Sequence, residues 1–293
     1  MVSTTLALGA TVLTLATFAG MGTWYARGRV GTVTEFVSAR GTTGGWRLAA
    51  TLFASSMGAW VLLSPAEAGA AFGGVAAVAG YALGSAAPLL LYVAVGPRIR
   101  ELLPRGHAIT EFAQARYGTA MFVYVLVVSV AYMAVFLAAE MTGIVGALAL
   151  VADVPAWQTA ALVGGFALVY TGYGGLRASI FTDGVQTVLL VPLLVVVVAG
   201  ALLAVGGPTT AYREVAATDP SLVDPGYLAG LKFGAYVVFA VLGAEMMNQA
   251  WWQRVYAAES DRTLQRGFLV AAVAVVPLVF LAGLLGVAAR GLG

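Results

Sequence analysis

Small and polar residues interrupt one long apolar stretch of the sequence near its middle. Residues 52–73 are apolar enough to cross a bilayer, yet the segment ASSMGA at 54–59 places two hydroxyls and a glycine inside this stretch. A helix in hydrocarbon must satisfy its backbone groups internally, and irregular backbone is tolerated there only where it lines protein or a cavity. Carbonyl oxygens freed by such a break are suitable ligands for Na⁺, whereas small residues by themselves also favour close helix packing. Both interpretations of this segment stay open.

Carboxylates form a second group of residues in the apolar stretches. Glu140 and Glu245 lie deepest, and Glu67 lies nearer the end of its stretch. A carboxylate in a membrane is costly and usually faces the interior of the helix bundle or a wet path. Each of the two deep acids is therefore predicted either to contact a cation or a solute amine, or to be a hydrogen-bonded structural glutamate. Glu245 lies inside a second interruption, at Gly243–Gln249.

The composition identifies the class of protein. Of 293 residues, 61% are hydrophobic and 10% are charged, whereas soluble chains have roughly 25% charged residues. The sequence therefore predicts an all-α integral membrane protein, because long apolar runs favour helices over the alternating strands of a barrel. The net charge of +2 is spread over short loops and does not indicate nucleic acid. The absence of cysteine excludes disulfides and thiolate metal sites.

Eight stretches have about the 17–25 residues that a membrane span requires. They are residues 4–25, 46–72, 75–95, 121–151, 156–173, 181–205, 227–252 and 267–289. Gly174 and Gly175 are predicted to form the tight turn between the fifth and the sixth span. The outer loop at 206–226 contains a short amphipathic pattern at Thr210–Ala217, which predicts either a short helix over the outer face or a plain connector.

The basic residues predict the orientation of the spans. With the N-terminus outside, twelve of the fifteen Lys and Arg residues fall on the cytoplasmic side, as the positive-inside rule requires. The twelve are Arg27, Arg29, Arg40, Arg47, Arg98, Arg100, Arg105, Arg116, Arg177, Arg254, Arg262 and Arg266. We therefore expect a multi-pass protein of the cell membrane with its N-terminus outside.

The two interrupted spans, the second and the seventh, run in opposite directions because four whole spans lie between them. Broken helices at corresponding positions of antiparallel halves indicate an inverted-repeat transporter. We therefore divide a single domain, residues 1–293, into an additional N-terminal helix with its inner loop (1–45), a first five-helix repeat (46–205), an outer loop (206–226) and the start of a second repeat (227–293).

Four segments, in this order, resemble the solute:sodium symporter family. They are FVSARGTTGGWRLAATLFASSMGAW at 36–60, GHAITEFAQARYG at 106–118, YTGYGGLRASIFTDGVQ at 170–186 and NQAWWQRVYAAES at 248–260. The resemblance implies a five-plus-five inverted-repeat bundle of the amino-acid/sodium symporter type. It also implies sodium-coupled symport of a small organic solute by alternating access, with Na⁺ as the coupling ion and no enzymatic activity.

The resemblance also implies where the cation binds. Members of the family hold Na⁺ between backbone carbonyls of the first broken core helix and oxygens of a later helix. The matching carbonyls belong to Ala54 and Met57, and Asp183 matches an acid near the cytoplasmic exit of the cation. Two structural roles for Asp183 stay open, a cap of the sixth span and an ion pair with Arg177.

The resemblance further implies a set of solute contacts. In proline-transporting members the position of Ser56 carries an acid, so this chain offers less negative charge there. Trp60 matches a position on the solute side, and Asn248 matches one that hydrogen-bonds the solute in sugar-transporting relatives. Trp251 is expected to help close the inner gate. Glu245 and Glu140 complete the predicted solute residues, while packing or anchoring roles for the two tryptophans stay open.

The sequence ends one turn beyond the eighth span, whereas a five-plus-five bundle needs ten core spans. We therefore expect an incomplete second repeat, hydroxyl ligands of Na⁺ on helices outside this sequence, and no sodium-coupled transport by this chain alone. A non-transporting membrane sensor and one half of a two-chain transporter stay open as alternatives. The expected partners are a small solute, Na⁺, the lipid bilayer and a second chain, but no nucleic acid. Urea, an amino acid, a sugar and a carboxylate are equally compatible as solute.

Overall fold

The computed structural model describes residues 2–292, and every regular element in that part of the chain is helical. The α-helices are α1 Thr4–Ala26, α2 Val33–Ser38, α3 Gly45–Ser56, α4 Trp60–Glu67, α5 Gly74–Leu102, α6 Ile109–Tyr117, α7 Thr119–Val151, α8 Ala156–Ala204, α9 Pro208–Thr218, α10 Leu228–Glu245, α11 Gln249–Ala257 and α12 Asp261–Leu292. A π-helix, Ala68–Gly73, continues α4, and a 3₁₀ helix, Pro220–Val223, follows α9. The predicted all-α class is confirmed.

Six helical stretches among the described residues are long and apolar enough to cross a membrane. They are Thr4–Ala26, Trp60–Leu102, Thr119–Val151, Ala156–Ala204, Leu228–Glu245 and Asp261–Gly291. Two of them, with 43 and 49 residues, exceed the ~20 residues of one crossing. Gly74 (φ 57°) lies in the first and Gly175 (φ 54°) in the second, and both have non-helical backbone that favours glycine. Division at these glycines would give the eight predicted spans, a number that stays a prediction.

Local sequence signals explain where several short helices begin. At the start of α2, the Thr32 hydroxyl accepts a hydrogen bond from the Glu35 amide (3.2 Å), and the Glu35 carboxylate accepts one from the Thr32 amide (3.2 Å). This reciprocal arrangement is a capping box. Pro208 is the first residue of α9, where its missing N–H costs nothing. The helix predicted within the outer loop is confirmed, since α9 covers it.

Both predicted helix interruptions are present, and both are short. The second span is broken at Met57–Ala59, between α3 and α4. The seventh span is broken at Met246–Asn248, between α10 and α11. Each break is narrower than the interruption predicted from the sequence, 54–59 for the first and 243–249 for the second, because most of those residues continue the adjoining helix.

The described chain forms two compact units, each assembled from three separate segments. The first comprises the chain up to Thr51 together with Gly96–Val185 and Met247–Leu264. The second comprises Leu52–Val95, Gln186–Met246 and the chain from Gln265 onward. The division into two inverted repeats stays a prediction.

In the first unit, the segment before α3 is joined to the segment after α11 through the backbone. The Gly41 amide donates to the Tyr256 carbonyl (3.1 Å), and the Thr43 amide donates to the Ala257 carbonyl (3.0 Å). The Glu259 amide in turn donates to the Thr43 carbonyl (3.2 Å). These bonds satisfy backbone groups of two loops at once, and they hold the start of α3 beside the end of α11.

In the second unit, α5 and α10 approach closely through glycines. A Cβ atom added to Gly80 would lie 2.1 Å from the Gly234 Cα atom, and one added to Gly230 would lie 2.3 Å from the Gly73 carbonyl oxygen. Small residues at such crossings allow backbones to meet, and van der Waals contact then drives association where lipid supplies no hydrophobic force. The glycines are therefore required by the distance between the two helices.

Gly80→Ala is expected to lower the stability of the chain by about 1–3 kcal/mol, the usual cost of overpacking. The added methyl would force α5 and α10 apart. Thermal unfolding in detergent micelles measures the effect. Gly164→Ala is the matched control, because no atom lies within 4 Å of a Cβ there and alanine favours a helix more than glycine does. Equal melting temperatures of the two variants would contradict the inferred contact.

Candidate functional site

A buried ion pair joins three helices of the first unit. An Arg254 Nη2 atom donates to the Asp183 Oδ2 atom at 2.8 Å, and Arg254 Nε donates to the Thr51 hydroxyl at 2.9 Å. The Thr51 hydroxyl donates in turn to Asp183 Oδ2 at 2.5 Å, and the Ser179 hydroxyl lies 3.5 Å from the same oxygen. Thr51 comes from α3, Asp183 from α8 and Arg254 from α11. We call Thr51, Asp183 and Arg254 the polar triad.

The polar triad is almost completely shielded from solvent. The side chains of Arg254 and Asp183 are 5% and 11% exposed, and Arg254 also donates to the Ala250 carbonyl at 3.1 Å. Moving two charges out of water costs several kcal/mol per ion, and attraction offsets that cost only with good geometry and additional hydrogen bonds. Here the hydroxyl of Thr51 and the backbone carbonyl of Ala250 supply these additional hydrogen bonds. Because these contacts join α3, α8 and α11, they hold the three helices in register.

Asp183 does not pair with Arg177, so that alternative for Asp183 was wrong. The Arg177 Nη2 atom lies 3.5 Å from Glu35 Oε1 instead. A backbone hydrogen bond from Gly31 lowers the pKa of the Glu35 carboxyl, and the Arg177 charge lowers this pKa further. A lowered pKa means that this carboxylate supports the fold above its ordinary pKa and loses that contribution as the pH falls through the lowered value.

Arg254 is the functional candidate that sequence reasoning missed, because it was counted only as a cytoplasmic loop charge. The structure places it inside α11 and buried. Its position carried a usable signal. Ala250 and Trp251 lie four and three residues before it, so the arginine shares a face of a short helix with two apolar residues. A charge on such a face predicts a buried partner, and Asp183 was the candidate acid.

The first break exposes the carbonyl end of α3 at Ala54–Ser56, in the second unit. A helix leaves its last four carbonyls without intrahelical partners. The Ala54 carbonyl accepts one bond, from the Met57 amide (3.0 Å), and a carbonyl oxygen has two lone pairs. The Ser56 hydroxyl donates to the Leu52 carbonyl (2.8 Å), which leaves its oxygen as an acceptor. The segment thus presents several oxygen lone pairs without a buried charge.

Trp60, the first residue of α4, packs against α5. Its ring stacks on the ring of Tyr81 with centroids 5.9 Å apart and planes 30° apart. Tyr81 also hydrogen-bonds the side chain of Ser64, one turn beyond Trp60. The ring of Trp60 remains partly exposed. Its packing role is thereby established, and its solute contact stays a prediction.

The second break contains Asn248, which caps α11. Its side-chain oxygen accepts a hydrogen bond from the Ala250 amide (3.0 Å), and the residue is 5% exposed. Asparagine is among the preferred N-cap residues because it satisfies an amide that the helix cannot. Trp251, also 5% exposed, follows on the buried side of α11. Both residues therefore have structural roles in the first unit, whatever they contact in addition.

The two deep glutamates lie in different units. Glu245 ends α10 in the second unit, and its carbonyl accepts a hydrogen bond from the Tyr92 hydroxyl (3.1 Å). Glu140 lies in the middle of α7 in the first unit, and both acids are partly buried. Among the predicted residues, the structure thus groups Asp183, Asn248, Trp251 and Glu140 in the first unit. It groups Ala54, Ser56, Met57, Trp60 and Glu245 in the second.

Arg40 connects the loop before α6 with α11 in the first unit. Its guanidinium donates to the carbonyl oxygens of Pro104 (2.7 Å) and Gly106, and lies 5.0 Å from the ring centroid of Tyr256. Burial raises the pKa of the Tyr256 hydroxyl to about 12. The ring therefore stays neutral at physiological pH and keeps the electron-rich face that a guanidinium prefers. These contacts tie the loop before α6 to α11.

Removing one member of the polar triad is expected to cost more than replacing the ion pair as a whole. Arg254→Met or Asp183→Asn alone should lower the unfolding free energy by about 3–5 kcal/mol, because each leaves a buried partner uncompensated. The double variant Asp183→Leu/Arg254→Met should lose less than the sum. Thermal unfolding of the purified chain measures the cycle.

The exposed pair Arg98–Glu101 provides the control for this cycle, since both side chains are 68% exposed. Its neutralisation by Arg98→Gln should change stability by about 0–1 kcal/mol. Strictly additive effects of the two triad substitutions would show that Asp183 and Arg254 do not act as a pair.

Known proteins have related sequences over much of the chain. The chain is 28% identical to the spermidine transporter of Candida albicans over 86% of its own length and 47% of the relative's. It is 26% identical to the sodium/glucose cotransporter of Vibrio parahaemolyticus over 94% of its own length and 53% of the relative's. The chain thus spans about half the length of the curated relatives it matches. These relatives are transporters and not enzymes, as expected.

A solved structure has the same fold. The substrate-bound outward-open state of a Na⁺-coupled sialic acid symporter superposes with a TM-score of 0.80 and 18% identity, over 96% of this chain and 60% of the other. The model of the sodium:solute symporter family matches residues 36–292. This match begins within α2 and extends to the end of α12, and so contains both helix breaks and the polar triad. The chain therefore belongs to the sodium:solute symporter family.

Proposed function

We propose that this chain carries out, or forms part of a protein that carries out, Na⁺-coupled uptake of a small polar organic solute across the cell membrane by alternating access. The observation that carries the proposal is the pair of helix breaks, at Met57–Ala59 and Met246–Asn248, in a member of this family. Helices broken within a membrane protein are typical of coupled transporters, where the free backbone groups bind ions and solutes.

The carbonyl end of α3 is the proposed Na⁺ site. Carbonyls of Ala54 and Met57 would supply ligands, and the Ser56 hydroxyl oxygen is available nearby on the same helix end. A hard cation prefers oxygen ligands, and the C-terminal end of a helix carries partial negative charge. Carbonyl ligands bind a cation without the cost of a buried carboxylate, so the site can also exist empty.

Asp183 is the proposed relay for the cation on its way to the cytoplasm. In the structure its carboxylate is neutralised by Arg254, which lies in α11 and also donates to the Thr51 hydroxyl of α3. A cation that reached Asp183 would compete with the guanidinium for Oδ2, and displacement of Arg254 would loosen α11 from α3. The ion pair would thus link cation passage to the helix after the second break.

The solute is proposed to be a small polar organic molecule. The relatives are named as transporters or symporters of spermidine, pantothenate, urea and glucose. These compounds share hydrogen-bonding groups and differ in charge, which suits recognition by amide and aromatic side chains such as those of Asn248 and Trp60. Glu140 and Glu245 are proposed as further solute contacts, and Trp251 as part of the inner gate.

Transport is tested in sealed vesicles under an inward Na⁺ gradient, with the purified full-length protein that contains this sequence. We expect saturable accumulation of at least one of radiolabelled spermidine, pantothenate, urea and glucose, with collapse when choline replaces Na⁺. Equilibrium binding of ²²Na⁺ in detergent provides an independent measurement of the cation site. The proposal would be contradicted if the protein neither bound Na⁺ nor accumulated any of the four solutes in a sodium-dependent manner.

Asn248 can be tested for a solute contact beyond its cap. Asn248→Ala should weaken solute binding by up to about tenfold, because a lost hydrogen bond is worth roughly 0.5–1.5 kcal/mol, and it should also destabilise α11 by about 1 kcal/mol. Asn248→Ser keeps an N-cap oxygen but removes the amide N–H group. If the serine variant restores the melting temperature without restoring the KM for solute, the amide contacts the solute. An unchanged KM in the alanine variant would limit Asn248 to its cap.

A further inference from the structure

A cleft of about 290 Å³ lies against the last two turns of α1, in the first unit. Gly20, Thr23, Trp24, Arg27 and Tyr173 line it. Gly20, Thr23 and Trp24 are spaced i, i+3 and i+4 and so occupy one face of α1, and Arg27 follows directly after the end of that helix. Tyr173 comes from α8, two residues before its turn at Gly175.

The cleft lies on the exposed surface of α1 and α8. Trp24 is 71% exposed and Tyr173 is 54% exposed, whereas Gly22 on a neighbouring face of α1 packs on Tyr170 and Thr182. Aromatic side chains with a polar edge concentrate where a membrane span meets the headgroups. Since α1 ends at Ala26, the cleft lies at that boundary of a candidate span.

The polar end of the cleft is positively charged. Arg27 follows the last residue of α1 and is exposed, and none of the ion pairs formed within residues 2–292 includes it. The Trp24 indole N–H and the Tyr173 hydroxyl are hydrogen-bond donors on the same lining. The Thr23 hydroxyl instead donates to the Ala19 carbonyl at 2.8 Å, so its hydrogen is engaged within α1.

The floor of the cleft, at Gly20, carries no side chain and is open. No atom lies within 4 Å of a Cβ added to Gly20, so this glycine leaves room along α1. A ligand that fits must therefore combine an anionic head beside Arg27 with an apolar part along Gly20 and the face of Trp24. A free inorganic anion meets only the first requirement.

We propose that this cleft binds an anionic phospholipid. The phosphate lies at Arg27 and accepts hydrogen bonds from the Trp24 indole and the Tyr173 hydroxyl, while an acyl chain follows α1 past Gly20. Basic sites between membrane helices are suited to anionic headgroups. In the predicted orientation this lipid belongs to the cytoplasmic leaflet. Most of the cleft is contributed by residues that precede the family match at residue 36, and the site is independent of the proposed solute and Na⁺ sites.

Native mass spectrometry of the purified chain tests the proposal, with dioleoyl-phosphatidylglycerol and dioleoyl-phosphatidylcholine as probes. The anionic phosphatidylglycerol should be retained in preference to the zwitterionic phosphatidylcholine. Arg27→Gln should lower its apparent affinity about fivefold, the effect of one basic residue near an anionic headgroup. Arg29→Gln is the matched control: it removes the same charge two residues away, where the guanidinium lies over the Tyr25 ring at 4.3 Å.

A second pair of variants tests the apolar part of the cleft. Gly20→Leu fills the floor and should also reduce retention of phosphatidylglycerol about fivefold or more, whereas Gly9→Leu should not. Both glycines lie on α1 with no atom within 4 Å of an added Cβ, so neither leucine should unfold the helix, and melting temperatures verify this. Equal losses in both members of either pair would overturn the proposal. Equal retention of the two lipids, or displacement of phosphatidylglycerol by inorganic phosphate, would also overturn it.

Discussion

The ion pair between Asp183 and Arg254 is the constraint on which the first unit depends. Two buried charges are tolerable only together, and only with the Thr51 hydroxyl that contacts both. The three residues come from positions up to 203 apart in the sequence. Their helices must therefore be in register before either charge can be buried, and a chain that places one of them wrongly leaves an uncompensated ion. The ion pair contributes specificity at least as much as stability.

The sequence allowed the all-α class, the helix within 206–226 and both helix breaks to be predicted, because each depends on local chemistry. Apolar length, glycine and proline are sufficient signals for such features. Partners of charged residues were harder to predict. Asp183 was assigned to Arg177 or to a cap, since both lie nearby in sequence, and Arg254 was treated as a loop charge. Pairing across 71 residues depends on how helices pack, and one sequence does not specify that packing.

The two breaks use different means to satisfy freed backbone groups. At the first, an amide bonds back to Ala54, and α3 ends with carbonyl oxygens beside buried Ser56. At the second, the side chain of Asn248 caps the amide end of α11. The first break thus leaves carbonyl oxygens without intrahelical partners, while at the second the side-chain oxygen of Asn248 is engaged in the cap. Substitutions at Asn248 consequently report on folding and on solute together unless a cap-competent variant separates the two effects.

Arginines that the sequence places on one side of the membrane differ in their physical roles. Arg254 is buried and neutralises a carboxylate, so its charge is unavailable to the membrane potential or to lipid. Arg177 is partly buried and shares Glu35 with a capping box. Arg27 is exposed at the end of α1, where no acid of the described chain pairs with it. Burial and pairing therefore decide which of these arginines can contact lipid, whereas the positive-inside rule counts Lys and Arg with little regard to nearby acids. Arg27 presents its charge at the end of α1, and such a charge attracts an anionic headgroup.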